Sequence, residues 1–141
     1  CRGDDTYGVI LRVINEYNYY RFIVSCSGQL RFEWVRDGRS VPLQDWIPSK
    51  TAFMGPSAKS VIGVWAVKRE VRLYINNVYQ FSVYGLTQTD GNIGVYVRST
   101  GETAVTVNFS DLKVFEGGVL PPTPTAVPTV IPSVTPTIRT P

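Results

Sequence analysis

The stretch Asn18 to Gly38, NYYRFIVSCSGQLRFEWVRDG, sets two runs of alternating side chains around a Ser-Gly turn. A period of two is the signature of strands, and two such runs about a short turn make a hairpin. Its register can be read from the residues themselves. A two-residue loop would set Phe22 against Glu33 and Val24 against Arg31. A three-residue loop, Cys26-Ser27-Gly28 with a left-handed Gly28, instead gathers Tyr20, Phe22 and Val24 on one face with Leu30, Phe32 and Trp34. Arg21 then lies across from Glu33 on the other face, a favourable cross-strand pair. Both faces accept this register, so the four aromatics are assigned to the core, where large rings usually pack.

The rest of the body follows the same grammar. Strands are expected at Tyr7–Ile14, Tyr19–Ser25, Gln29–Val35, Val61–Val67, Val71–Ile75, Val78–Tyr84, Ile93–Arg98 and Ala104–Phe115, the last broken near Ser110. Asp37-Gly38, Asn76-Asn77 and Asp90-Gly91 suit tight turns between them. No helical period stands out. Many short strands between turn signals predict an all-β chain folded as an antiparallel β-sandwich. Gln44–Ser60 reads as the longest irregular loop.

From Gly117 the composition changes to GGVLPPTPTAVPTVIPSVTPTIRTP, which holds seven of the ten prolines and six threonines. Proline removes ladder donors and extends the residue before it, so an extended Pro/Thr-rich spacer or tail is expected here. The chain thus divides into a sandwich at 1–116, N-terminally incomplete on one reading, and a tail at 117–141. Thr123, Thr125, Thr129, Thr135 and Thr137 are candidate O-glycosylation sites, and Asn108-Phe109-Ser110 is a formal N-glycosylation sequon. An unmodified linker is the plain alternative. Cys1 in place of Met and the repetitive ending read as cut or processed termini.

Composition removes whole classes of chemistry. The 141 residues contain no histidine, which excludes Ser-His-Asp and Cys-His catalysis and histidine-ligated zinc. A net charge of +3, with basic and acidic residues interspersed, does not point to nucleic acid. No apolar run has the length of a transmembrane helix. Asp4 and Asp5 are adjacent but read as solvated loop acids, so no metal and no cofactor is expected. Arg2-Gly3-Asp4 matches an integrin-binding tripeptide, too short a match to carry weight.

Cys1 and Cys26 allow one disulfide, with Tyr7 expected opposite Cys26 and the intervening loop curling back. This fits an extracellular or cell-surface location. The alternative is a lipid-modified Cys1 with Cys26 free.

Extending the ladder through the Asn15–Asn18 loop sets Arg12 beside Arg21, with Glu33 beyond and Ile10, Ile14, Tyr19 and Ile23 around them. A charged row among apolar residues suits a shallow groove or a surface covered by another chain. A structural ion-pair row under neighbouring loops is the bland reading.

The order YGVILRV, NYYRFIV, SG, Trp46, Ser49, Gly55, VRLYINN and GNIGVYV, ending in VNFSDLKVF, resembles the concanavalin A-like lectin/glucanase superfamily. More narrowly it is similar to bacterial extracellular jelly-roll modules related to laminin-G and 3-keto-disaccharide hydrolase domains. The resemblance runs from about Tyr7 to Phe115 and implies two curved sheets, the concave one often binding carbohydrate. It also implies that Arg12 matches the arginine closing the family's G-x-x-x-R strand. Family members usually have several strands before the one equivalent to Tyr7–Ile14. The closing F-D-N-F-like motif reads Phe109-Ser110-Asp111-Leu112, so no acidic ligand is carried over from it.

The Glu-x-Asp-x-x-Glu strand of the superfamily's glucanases is absent, and a glycosidase needs two placed carboxyls. The sequence therefore reads as a non-enzyme that binds carbohydrate or a cell-surface glycoconjugate, with Arg12, Tyr19, Arg21, Glu33, Trp46 and Trp65 as ligand candidates. Trp65 shares a strand face with Val61 and Val67, which favours core packing for it. The alternative is a structural subunit of a cell-surface assembly or filament, completed by self-association or a neighbouring chain, and a glycan-active enzyme ranks third.

Overall fold

The computed structural model describes residues 1–52, 54 and 59–116. The strands are β1 (Thr6–Asn15), β2 (Asn18–Ser25), β3 (Gln29–Arg36), β4 (Arg39–Pro48), β5 (Ile62–Val67), β6 (Glu70–Ile75), β7 (Val78–Tyr84) and β8 (Asn92–Arg98). They form two antiparallel sheets, a five-stranded one in the order β4-β3-β2-β1-β8 and a three-stranded one in the order β5-β6-β7. The chain is an antiparallel β-sandwich, with no helix among the described residues.

The β2–β3 register is the one the side chains demand: Tyr20 opposite Trp34, Phe22 opposite Phe32, Val24 opposite Leu30, and Arg21 opposite Glu33. Gly28 takes φ +83° in the three-residue loop, a conformation open to it because it lacks a Cβ. Asp37-Gly38 and Asn76-Asn77 turn with positive φ at both central residues, as hairpins with right-twisted strands prefer. Tyr20, Phe22, Val24, Leu30 and Phe32 are completely buried, and they meet Val71, Leu73 and Ile75 of β6. An edge-to-face contact between Phe22 and Phe81, centroids 6.0 Å apart, joins the two sheets.

Four expectations are corrected. Arg39–Pro48 is a strand, so Trp46 stands on β4 and not in a loop. Pro42 and Pro48 argue against a strand in sequence, but β4 is an edge strand, where proline is tolerated. Ala104–Phe115 forms no ladder with any described residue, and beyond half-buried Val105 and Val107 it is exposed. Hydrogen-bonded pairing, which alternation alone cannot supply, is what that segment lacks. Trp65 pairs with Arg72 while its neighbour Val64 pairs with buried Leu73. Successive strand residues face opposite ways, so Trp65 points out of the sandwich.

The fourth correction concerns β1. Leu11 pairs with Tyr20 and Asn15 with Asn18, leaving three residues of β1 against one of β2. Arg12, with φ +52°, turns in this bulge. Below it the register moves by two residues, so Ile10 and not Arg12 pairs with Arg21, and Tyr7 pairs with Val24 and not Cys26. Thr6 meets Ser25, and the Cys26 amide donates to the Asp5 carbonyl at 2.8 Å. Cys1 and Cys26 are joined, with Cα atoms 5.3 Å apart.

Among the described residues, one flank of the interior is left uncovered. Val9 faces the core and pairs with Val95, and Tyr7 pairs with Val97, so the β8 valines look inward. Yet Ile93, Val95 and Val97 are about half exposed, as is Val64 in part on the β5 side.

Candidate functional site

The outward face of the five-stranded sheet carries three transverse rows. One runs Arg98, Thr6, Ser25; the next Tyr96, Gly8, Ile23, Arg31; the third Gly94, Ile10, Arg21, Glu33, Pro42. Gly8 leaves the middle row without a side chain beside Tyr96, and a Cβ there would run into the Phe22 carbonyl oxygen. Around these rows lies a concavity of about 440 Å³. Ile23 is its apolar floor, Tyr96 and Trp46 stand on its flanks, and Asp4, Ser25, Ser27, Gln29, Arg98 and Thr100 supply polar groups.

Glu33 organises the charges. Its buried carboxylate accepts from Arg21 Nε at 2.6 Å and lies 2.9 Å from Arg31 Nε, the latter an ion-pair contact without hydrogen-bond alignment. Arg21 also donates to Ser40 Oγ at 2.8 Å. Each guanidinium then faces a ring: Arg21 is 4.9 Å from the centre of Tyr96, and Arg31 is 5.6 Å from that of Trp46. The result is a continuous row, ring–cation–carboxylate–cation–ring, across β8, β2, β3 and β4. A carboxylate held by two cations inside a partly desolvated row is fixed in place, since without them it would be a buried, uncompensated charge.

The rim is tied down from the N-terminal loop. Asp5 accepts from the Thr100 amide at 3.0 Å and the Thr100 hydroxyl at 3.4 Å. Its carboxyl is held below the usual range, chiefly by the Thr100 backbone bond and, against opposing desolvation, by further bonds from Arg2 and the Thr100 hydroxyl. Asp5 is therefore a buried structural acid, not the solvated loop acid its neighbours suggest. No cluster of three His, Cys, Asp or Glu side chains suitable for a metal occurs among the described residues.

Of the six ligand candidates, Arg21, Glu33 and Trp46 line the concavity together. Tyr19 lies on the same face one row beyond, opposite Val35, and does not line it. Arg12 belongs elsewhere. It is buried in its bulge, where its guanidinium donates to the Gln88 carbonyl at 3.0 Å and its own carbonyl accepts from Gln88 Nε2 at 3.1 Å. Burial pulls its pKa below the ordinary arginine value. Gln88 also accepts from Trp34 Nε1 at 2.9 Å, and the Tyr20 hydroxyl accepts from the amides of Thr87 and Gln88. Arg12 thus holds the Leu86–Asp90 loop over the end of the core. Trp65 is on the outer face of the other sheet, 4.5 Å beneath Arg72, which Glu70 fixes at 2.7 Å and whose pKa that bond raises. Asn108 is exposed, and the threonines from Thr123 to Thr137 lie outside the described residues.

Tyr96, Arg31 and Arg98 escaped the sequence reading. Tyr96 could have been found, because alternation in GNIGVYVR puts Tyr96 and Arg98 opposite the inward valines; the β1–β8 pairing that brings them to this face leaves no local mark.

No protein-family model matches the sequence, and no curated protein matches it. Among solved structures the chain is similar to the carbohydrate-binding module CBM66 from Bacillus subtilis, with a TM-score of 0.57 and 12% identity over 67% of this chain. The match covers 58% of that module's own length. At this identity the likeness is one of fold.

Proposed function

We propose that the chain is a non-catalytic carbohydrate- or glycoconjugate-binding module, and that its binding surface is the concavity on the five-stranded sheet. The observation that carries this is the pairing of Trp46 and Tyr96 across an apolar floor, with three guanidiniums and several hydroxyls converging between them. Sugar rings stack their C–H faces on aromatic rings while their hydroxyls take directional hydrogen bonds, and this site offers both in a concave, partly apolar setting. The fold likeness to a module that bears the name carbohydrate-binding supports the reading. So does the concanavalin A-like kinship read in the sequence, which forms part of this proposal. Glu33, engaged by two arginines, is poorly suited to proton transfer, which favours binding over hydrolysis. An extracellular location, with the sandwich displayed on residues 117–141 as a spacer, belongs to the same proposal and is supported by the Cys1–Cys26 disulfide. Trp46→Ala, Tyr96→Ala and Arg21→Ala are each expected to abolish binding on a glycan array. Unchanged binding in all three would remove the proposal.

A second reading rests on a different observation, the bare inward face of β8. Such a face suits an assembly in which another chain covers it. Light scattering after size-exclusion chromatography separates the two: a stable monomer removes the assembly, and a defined oligomer places it first.

A further inference from the structure

Three guanidiniums line the concavity, and they are not equivalent. Arg21 and Arg31 share Glu33, each with a ring against it. Arg98 is different. Among the described residues its guanidinium has neither an ion-pair nor a hydrogen-bond partner, although it stands at the rim beside Thr6 and Thr100. Asp4 lies on the same rim yet forms no ion pair with it. Arg21 is held by Glu33, and Arg31 by Glu33 and by Asp45 at 3.7 Å, so Arg98 alone of the three guanidiniums is an uncommitted, forked donor set among the described residues.

We infer, building on the carbohydrate reading above, that the sugar taken here carries a carboxylate, and that Arg98 receives it. A guanidinium presents parallel N–H donors in a rigid plane that matches the two oxygens of a carboxylate, and charge-assisted pairs of this kind are about twice as strong as neutral ones. Hydroxyl groups need no such partner. The placement also fits. Arg98 and Tyr96 are next neighbours on one face of β8, so their side chains leave the strand roughly 7 Å apart. That distance suits a pyranose ring seated against Tyr96 and Ile23 with its exocyclic carboxyl turned to Arg98.

The test uses the whole chain and matched oligosaccharide pairs: glucose with glucuronate, galactose with galacturonate, mannose with mannuronate. Isothermal titration is expected to show one uronate bound at least about tenfold more tightly than its neutral partner, the value of a charge-assisted pair. Methyl-esterifying that uronate, or raising salt from about 0.05 to 0.5 M, is expected to remove most of the difference. Arg98→Gln is expected to bring the uronate down to the neutral sugar, with Arg98→Lys between the two, at unchanged thermal midpoint. Equal affinity within every pair, or an acidic preference indifferent to Arg98→Gln, overturns this inference while leaving the carbohydrate reading intact. Preference for sulfated sugars over uronates, lost in Arg98→Gln, also overturns the carboxylate. Absence of binding to any sugar, neutral or acidic, overturns the carbohydrate reading itself.

Discussion

The centre of the five-stranded sheet and its β8 edge are built from similar residues and finished differently. In β2 and β3 both faces are occupied: Phe22 and Phe32 meet the opposite sheet inside, and Arg21 and Glu33 lock together outside. In β8 only the outer face is engaged, through Tyr96, while Val95 stands 52% exposed on the side that should be core. The same alternation therefore carries different energetic weight in the two places. A valine facing inward stabilises only where something lies opposite it.

Mutation should expose that contrast directly. Phe22→Ala is expected to lose about 3–5 kcal/mol in urea unfolding, the usual result of emptying a filled ring site. Replacing Cys1 and Cys26 by serine opens a loop spanning 25 residues and is expected to cost about 3 kcal/mol by the same measurement. Glu33→Gln leaves Arg21 without a counterion and Arg31 with only the exposed Asp45, 3.7 Å away. Both are partly exposed, at 14% and 23%, so the expected loss is about 1–2 kcal/mol and not the larger figure for a sealed pair. Asp5→Asn acts through pH. A carboxyl lowered in the folded state stabilises fully above its unfolded pKa of about 3.9 and loses that contribution as pH falls through the lower folded value. The wild-type thermal midpoint should fall more steeply on acidification below about pH 4 than that of the variant. Val95→Thr is expected to change monomer stability by less than about 0.5 kcal/mol. A loss comparable to that of Phe22→Ala would mean that β8 is covered in solution, and the contrast would collapse.

What could be read in advance follows the same division. The β2–β3 register was legible because each of its residues has a partner of matching character within the hairpin, so local chemistry and global packing agree. The Arg21–Glu33 half of the site came with it. Tyr96 and Arg98 reach that half through β1–β8 pairing across most of the chain, and nothing local in GNIGVYVR announces it. Strand β4 was hidden by its prolines, and the placement of Arg12 by a bulge whose left-handed residue is an arginine, a type that gives no advance sign of that conformation. Ala104–Phe115 shows the reverse failure. Its alternation is good, but strand character needs a neighbour to bond with.

The bulge at Arg12 has a consequence for how this fold tolerates change in length. Against β2 its surplus is two residues, so Leu11 and Asn15 keep the same side relative to that strand, whereas against β8 the shift between the Ile10–Gly94 and Val13–Asn92 pairs is a single residue. Removing a single residue there would turn Asn15 and the hairpin end over relative to β2, whereas losing a pair would keep the β1–β2 order but move Val13 out of step with Asn92. Natural or engineered variants of this hairpin should therefore keep their length at this point, and shortening it through Arg12 would also free Gln88 and the loop that Arg12 now anchors.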